Sequence, residues 1–485
     1  MSSDAAAAPS SAAPASAPDA APPRRPIDRS IVEGPLAPAV WRMAWPTVVT
    51  NIIGGLQGII DHAMVGHYVG FTANAGIGVA TQLWIVVIVF IMSVFTGMSV
   101  LVSRAIGARD TAKADQIVFQ AFLTATVMSL GILAPIGWFA APYLLDFVNA
   151  TPAVQAQALP YFRLMMVGST GMLVFYMLGG ALRSAGDART PMVLGIVMTA
   201  LNVLLNVIFI SGWGPIPAFG ALGAAMGTVI ACTVVALYAI VRLVRGGWVV
   251  HFPRGQGYAP DWTIIRSLFK LGLPAGFQGI AMNVGGVLLL RFIGALDQSA
   301  AAQAAYTVSY TELFALVTWT ASGLMGAAAA VAGQNLGARQ PQRAQAAVET
   351  AARFGLVVAT TLGLAYFFIP GTLLGLFGLR QPEVVAIGTQ LLRVLSLSGL
   401  FITVALTYTG GLQGTGDTKS PFYISIISQI VVPLTICFVL RQLGLLQPLG
   451  IWCAILAGHV TRAALSVWRF RQGKWRTLDL GLATT

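Results

Sequence analysis

The sequence predicts an all-α polytopic membrane protein of about 12 transmembrane helices, in two parallel six-helix lobes related by pseudo-twofold symmetry. Three observations carry that prediction: a composition too apolar for a water-facing surface, apolar runs of span length that recur along the chain, and an internal repeat. Of the 485 residues 56% are hydrophobic and 9% charged, with a mean hydropathy of +0.79. Soluble domains carry about 25% charged residues. The formal charge of +12 does not point to nucleic acid, because no basic run is interleaved with aromatics outside apolar segments. Cys232, Cys437 and Cys453 lie in apolar stretches without metal-ligand spacing, so neither a disulfide framework nor a metal site nor any other cofactor is expected.

The first 34 residues are dominated by Ala, Pro and Ser, a composition that cannot bury enough apolar surface to offset the entropy of ordering. The tail, taken as 1–40, is therefore expected to be disordered and cytoplasmic. From Trp41 onward, apolar runs of about 20 residues recur, each able to cross a hydrocarbon core of roughly 30 Å at 1.5 Å per residue. They divide the chain into an amino-terminal lobe at 41–243, a cytoplasmic linker at 244–266, a carboxyl-terminal lobe at 267–470 and a second cytoplasmic tail at 471–485. Sorting the 28 Lys and Arg by side places 23 of them, including five near the carboxyl end, with the termini. Arg163, Arg291, Arg380, Arg393 and Arg441 fall on the other side or in the outer parts of helices. Cytoplasmic flanks retain positive charge, so both termini are expected inside. High Ala and Arg with only four lysines fits a GC-rich bacterial gene, hence an inner-membrane location.

The repeat has an offset near 230 residues. Gly107-Ala108-Arg109 recurs as Gly337-Ala338-Arg339, and Thr81-Gln82-Leu83-Trp84 as Thr311-Glu312-Leu313-Phe314. The loop from Gly180 through Ser184-Ala185-Gly186-Asp187 to Thr190-Pro191 recurs from Gly410 through Gly414-Thr415-Gly416-Asp417 to Ser420-Pro421. Pro46 finds its counterpart in Pro274, and Gly220 in Gly450. An even number of spans per half keeps the halves in one orientation, the parallel-repeat plan of secondary transporters.

At these residues the chain resembles the multidrug and toxic compound extrusion (MATE) transporters. The proline of the first helix, followed by Ile60-Asp61-His62-Ala63-Met64-Val65-Gly66, looks like that family's first-helix signature, and the doubled Gly-Asp loop is similar to its loops after helices 4 and 10. The resemblance covers roughly 40 to 470. In helix 5 it leans to the DinF-like branch, where Asn202 matches an asparagine and Asn206 departs from an aspartate. It implies alternating access between two lobes, with bending of helix 1 at Pro46 as a hinge.

Asp61 is the sharpest single feature: a carboxylate about 20 residues into an apolar helix is a proton or cation site. Gln57 lies one turn back on the same face, and Asn202 and Asn206 form a further i, i+4 polar pair. Their counterparts at 432 and 436 are Val and Ile, so the polar cluster belongs to one lobe. One carboxylate flanked by amides suits a proton; a sodium site usually wants several hard oxygen ligands. Proton coupling is therefore the leading expectation, with sodium the alternative. Sodium-coupled branches carry acids in helices 7 and 10, where this chain offers Gln278, Met282, Asn283 and Ile402. Glu312 could bind a cationic substrate or pair with Arg291. Gln278, Asn283, Met64 and Tyr310, with other methionines and aromatics, could line a substrate cavity adaptable to flat organic cations.

The expected activity is secondary antiport: export of amphipathic or cationic organic compounds in exchange for protons, by a protein expected to be a monomer in the bilayer. A lipid-linked sugar flippase of the same superfamily is a second reading. It fits less well, since only Arg163 and Arg291 read as basic residues well inside spans. A membrane enzyme is disfavoured: the four histidines are scattered, with no HExxH, GxSxG or Walker loop.

Overall fold

The computed structural model describes residues 25–147, 151–252 and 258–478. Among them the chain is helical from end to end, with twelve long helices. They are α1 (Leu36–Tyr68), α2 (Phe71–Gly107), α3 (Thr111–Phe147), α4 (Pro152–Val167 with Ser169–Ser184), α5 (Arg189–Ser211) and α6 (Ala221–Arg245) in the first lobe. The second lobe holds α7 (Trp262–Ile293), α8 (Ser299–Gly337), α9 (Pro341–Phe368), α10 (Pro382–Gly414), α11 (Lys419–Gln442) and α12 (Pro448–Arg471). Ten are long and apolar enough to span a bilayer singly, α4 does so as a pair bent by 53°, and α2 runs for 37 residues. Large apolar side chains stand exposed on the outside, among them Tyr143, Phe147, Phe368 and Leu376. Such a surface is stable against lipid and costly against water.

The repeat is visible in backbone detail. Arg109 and Arg339 are, among the described residues, the only non-glycines at positive φ, at 66° and 60°. Gly186 and Gly416 share a φ of 97°, a conformation open to a residue without Cβ. Each is followed by an aspartate that caps the next helix. Asp187 accepts from the Thr190 amide and hydroxyl, and Asp417 from the same two groups of Ser420.

Small residues let the lobes meet closely at the end of the bundle that carries both chain termini. A Cβ on Gly107 would stand 2.0 Å from the Gln334 carbonyl oxygen, and one on Gly337 would stand 2.2 Å from the Arg104 oxygen. The two contacts are images of each other under the repeat. Two bonds across the boundary follow the same plan with acceptors one residue out of register: Arg104 donates to the Thr415 carbonyl and Gln334 to the Ser184 carbonyl. Deeper in, Gly97 packs on the Leu268 backbone and Gly272 on that of Ser93. The lobes are thus closed at the termini end.

The segment expected to be a disordered tail to residue 40 is ordered over its described part. Arg29–Ile31 forms a short 3-10 helix capped by the Asp28 carboxylate, and α1 starts at Leu36. Ile31 is buried, and its carbonyl accepts from Asn335 and Arg343 of the second lobe. Arg25 pairs with Asp187 and Glu33 with Arg109 of the first lobe. Burial of one isoleucine and satisfaction of its carbonyl order a stretch whose composition alone favours disorder. Residues 1–24 lie outside the described residues, as do 253–257 of the linker and 479–485 of the second tail. In that tail Trp475 is buried and stacks on Phe470.

Four segments wind as π-helix: Ser129–Leu133 and Ile136–Ala140 in α3, Thr307–Leu313 in α8 and Ile427–Val431 in α11. Each widens its helix by one residue and turns neighbouring side chains away from their α-helical positions, a distortion frequent at functional sites. Those of α8 and α11 flank the interior of the second lobe.

Candidate functional site

Three polar groups of the first lobe meet where α1, α5 and α6 pack together. Asn202 and Asn206 are fully buried, one turn apart on α5. Asn206 Nδ2 donates to Asp61 Oδ1 at 2.6 Å. The Asn202 amide fits with its nitrogen toward Asp61 Oδ1 at 3.1 Å and its oxygen toward the Thr228 amide and hydroxyl. Two neutral amides therefore hold one carboxylate, and no Lys or Arg among the described residues pairs with it. Gln57, one turn along α1, accepts from Thr199 instead of touching Asp61. Tyr161, bonded to Thr81, and Cys232 lie within electrostatic range of the carboxylate. Met64 packs in the small apolar cluster around Val65, Ala73 and Ile210.

The fit depends on a glycine that spacing within one helix does not reveal. A Cβ at Gly227 of α6 would stand 2.1 Å from Asn206 Oδ1, an oxygen that is buried and has no hydrogen-bond partner. Thr228 and Gly227 come from a helix separated from α5 by a turn, so only packing brings them to Asp61.

Pro46 lies inside α1, which runs unbroken through it. Thr50 Oγ1 donates to the Pro46 carbonyl and Thr47 Oγ1 to that of Met43. These side chains take up carbonyls near the place where the proline removes a donor. Fifteen residues of helix, roughly 22 Å, separate this turn from Asp61.

A second polar site lies between the two lobes, mostly on the side of the second. A cavity of about 490 Å³ opens between α2, α4, α7, α8, α10, α11 and α12, lined by Gln278, Tyr310, Gln413, Gln429, His459 and Arg462 among others. Gln278 donates to Ser425 and accepts from Gln413. A smaller adjoining cavity shares Tyr310, Gln429 and His459 and adds Asn283, whose side chain donates to the Gly279 carbonyl. Glu312 is half-buried on the π segment of α8 and lines none of these cavities. It makes no ion pair with Arg291, which is exposed.

Arg462 corrects the charge tally. Counted from sequence with the terminal basic cluster, it sits midway along α12 with no exposed surface. The signal lay in its own helix: His459, Arg462 and Ser466 recur at helical spacing and form a buried polar stripe. Arg183 of α4 also faces the large cavity. Arg163 and Arg291 are thus not the only basic residues inside spans.

Comparison with known proteins places both lobes in one family. The MatE family model matches residues 46–208 and 274–439, more than half of the chain. The chain is 26% identical over 447 residues to a protein named probable multidrug resistance protein NorM of Thermotoga maritima, covering 90% of this chain and 92% of that one. It is 24% identical over 443 residues to multidrug resistance protein MdtK of Pectobacterium atrosepticum, with 88% and 94% covered. In structure it is similar to a multidrug resistance MATE family transporter described in its outward-facing conformation. The TM-score is 0.85 at 20% identity, over 93% of this chain and 98% of that one.

Proposed function

The chain belongs to the MatE family of membrane transporters, and from that premise we propose that it exports amphipathic organic compounds in exchange for protons. It is a transporter and not an enzyme. Its relatives bear the names of multidrug resistance proteins, which supports drug-like substrates for this chain.

The observation that carries the proton assignment is a lone carboxylate held by two buried amides in one lobe. When Asp61 is ionised, Asn206 and Asn202 both donate to it. When it is protonated, its hydroxyl must donate, and the buried Asn206 Oδ1 without a partner is an acceptor that a turn of the amide brings round. The pair can satisfy either protonation state by reorienting one side chain. A sodium ion would instead need several oxygens turned to one point, whereas both amides present nitrogen to Asp61 and the Asn202 oxygen is held by Thr228.

In the exchange cycle the lobes close at the cytoplasmic face, as the positive charge around both termini supports, and Asp61 takes up a proton from outside. Rearrangement of α1, α5 and α6 around the altered bond lowers affinity for the compound, which leaves. Reopening at the cytoplasmic face releases the proton.

The test is uptake or efflux of a fluorescent organic dye in proteoliposomes, wild type beside Asp61→Asn, under an imposed pH gradient and then a sodium gradient. Transport driven by pH and lost in the variant is expected. Transport driven by sodium alone would overturn the ion assignment, and an active variant would move the coupling site elsewhere.

A further inference from the structure

Among the described residues the buried guanidinium of Arg462 has no counter-charge. It has no exposed surface, and its Nε and Nη1 are buried without partners. Its Nη2 approaches only the Met282 sulfur, at 3.7 Å. A charge placed in a helix interior normally pairs with a carboxylate or coordinates a ligand, because an unpaired one is costly. No Asp or Glu is among the described residues lining the cavity it faces; the other charged group there is Arg183, whose guanidinium lies over the Phe95 ring at 5.7 Å. Beside Arg462, His459 Nδ1 and Ser428 Oγ are also buried without partners, and both residues line the adjoining cavity.

The wall next to Arg462 is aromatic and layered. Trp452 and Tyr306 stack at 6.1 Å and 14°, Tyr306 and Tyr310 at 5.0 Å and 11°, and Phe314 stacks on His459 at 5.8 Å and 18°. The π segments of α8 and α11 carry Tyr310 and Gln429 to this wall. A flat ring system packed along the stack would bring a substituent to Arg462.

We propose that this cavity binds the anionic group of an amphipathic aromatic substrate, a carboxylate in the first instance, with Arg462 as its counter-charge and the Tyr306–Tyr310 stack as its platform. Guanidinium and carboxylate match in geometry, two N–H groups to two oxygens, and the desolvated setting strengthens the bond. A bare cation gains nothing from two arginines, whereas an anion or zwitterion does. The proposal deepens the transport reading and rests on it for the word substrate. It concerns binding, so it can fail while proton exchange stands, or stand while proton exchange fails.

The experiment is equilibrium binding of a matched dye pair to purified protein by fluorescence anisotropy, without any ion gradient. Rhodamine B carries a free carboxylate; its ethyl ester presents the same rings and cation without it. The acid is expected to bind about tenfold more tightly than the ester. Arg462→Met should erase that preference while leaving ester binding within about twofold, and Arg462→Lys should restore part of it. If Arg462→Met does not fold, the wild-type acid-to-ester ratio together with Arg462→Lys decides the matter. Equal binding of acid and ester, no binding of either, or an equal loss of both in Arg462→Met would overturn the proposal.

Discussion

Gly227→Ala tests the Asp61 cluster without touching an ionisable group. The added Cβ would stand 2.1 Å from Asn206 Oδ1, whereas a close carbon–oxygen contact is about 3.3 Å. The amide must therefore move by roughly 1 Å, because α6 cannot retreat without unpacking from α5. A shift of that size carries the 2.6 Å bond from Asn206 to Asp61 toward roughly 3.6 Å, beyond hydrogen-bond distance. A hydrogen bond to a charged group contributes about 1.5 to 3 kcal/mol, which corresponds to about a ten- to hundredfold change. Initial rates of pH-driven dye transport in proteoliposomes, normalised to reconstituted protein, should fall at least about tenfold and match those of Asn206→Ala. Gly131→Ala, where a Cβ meets nothing within 4 Å, is the control and should transport normally. Wild-type rates in Gly227→Ala, with unchanged thermal stability, would refute the geometry on which the proton assignment stands.

Two further substitutions probe the frame around the sites. Gly272→Ala would put a Cβ 1.7 Å from the Ser93 carbonyl oxygen, a backbone atom that cannot swing aside. It should force the lobes apart at the termini end and raise maleimide labelling of a cysteine placed at the buried Ser103, in a background lacking the three native cysteines; unchanged labelling would mean the contact is not part of the closure. Asp417→Ala removes the cap on α11 and leaves Arg469, bonded to it at 2.8 Å, without its partner. A cap contributes about 1 kcal/mol, and an unfolding entropy of about 1 kcal/mol/K for a chain of 485 residues turns that into a drop of about 1 °C in melting temperature; a melting point identical to wild type within a few tenths of a degree would show the bond to be replaced by solvent.

Much of this molecule is legible in its sequence because bilayer solvation simplifies the code. Span length, flank charge and a repeat at constant offset locate twelve helices and two lobes without any tertiary information. Asp61 with Asn202 and Asn206 was equally legible, since polar atoms in apolar helices are few and i, i+4 spacing puts the asparagines on one face. Gly227 and Thr228 were not: their role exists only where α6 crosses α5, and nothing in a Gly-Thr dipeptide announces which helix it meets. Arg462 escaped because a flank count treats every arginine near a helix end as belonging to the flank. The π segments of α8 and α11 leave the hydrophobic pattern unchanged, so composition and periodicity are blind to them. Residues 25–35 show the converse, a stretch of disorder-like composition ordered by a few specific contacts.

Those contacts bear on how the protein should be handled at the bench. The stretch from Arg25 to Gly34 is fastened to the first lobe through Asp187 and Arg109 and to the second through Asn335 and Arg343. Any purification handle or fluorescent fusion placed ahead of it therefore pulls on a strap that crosses the boundary between the lobes, and its size and charge become part of any measurement of how the lobes sit.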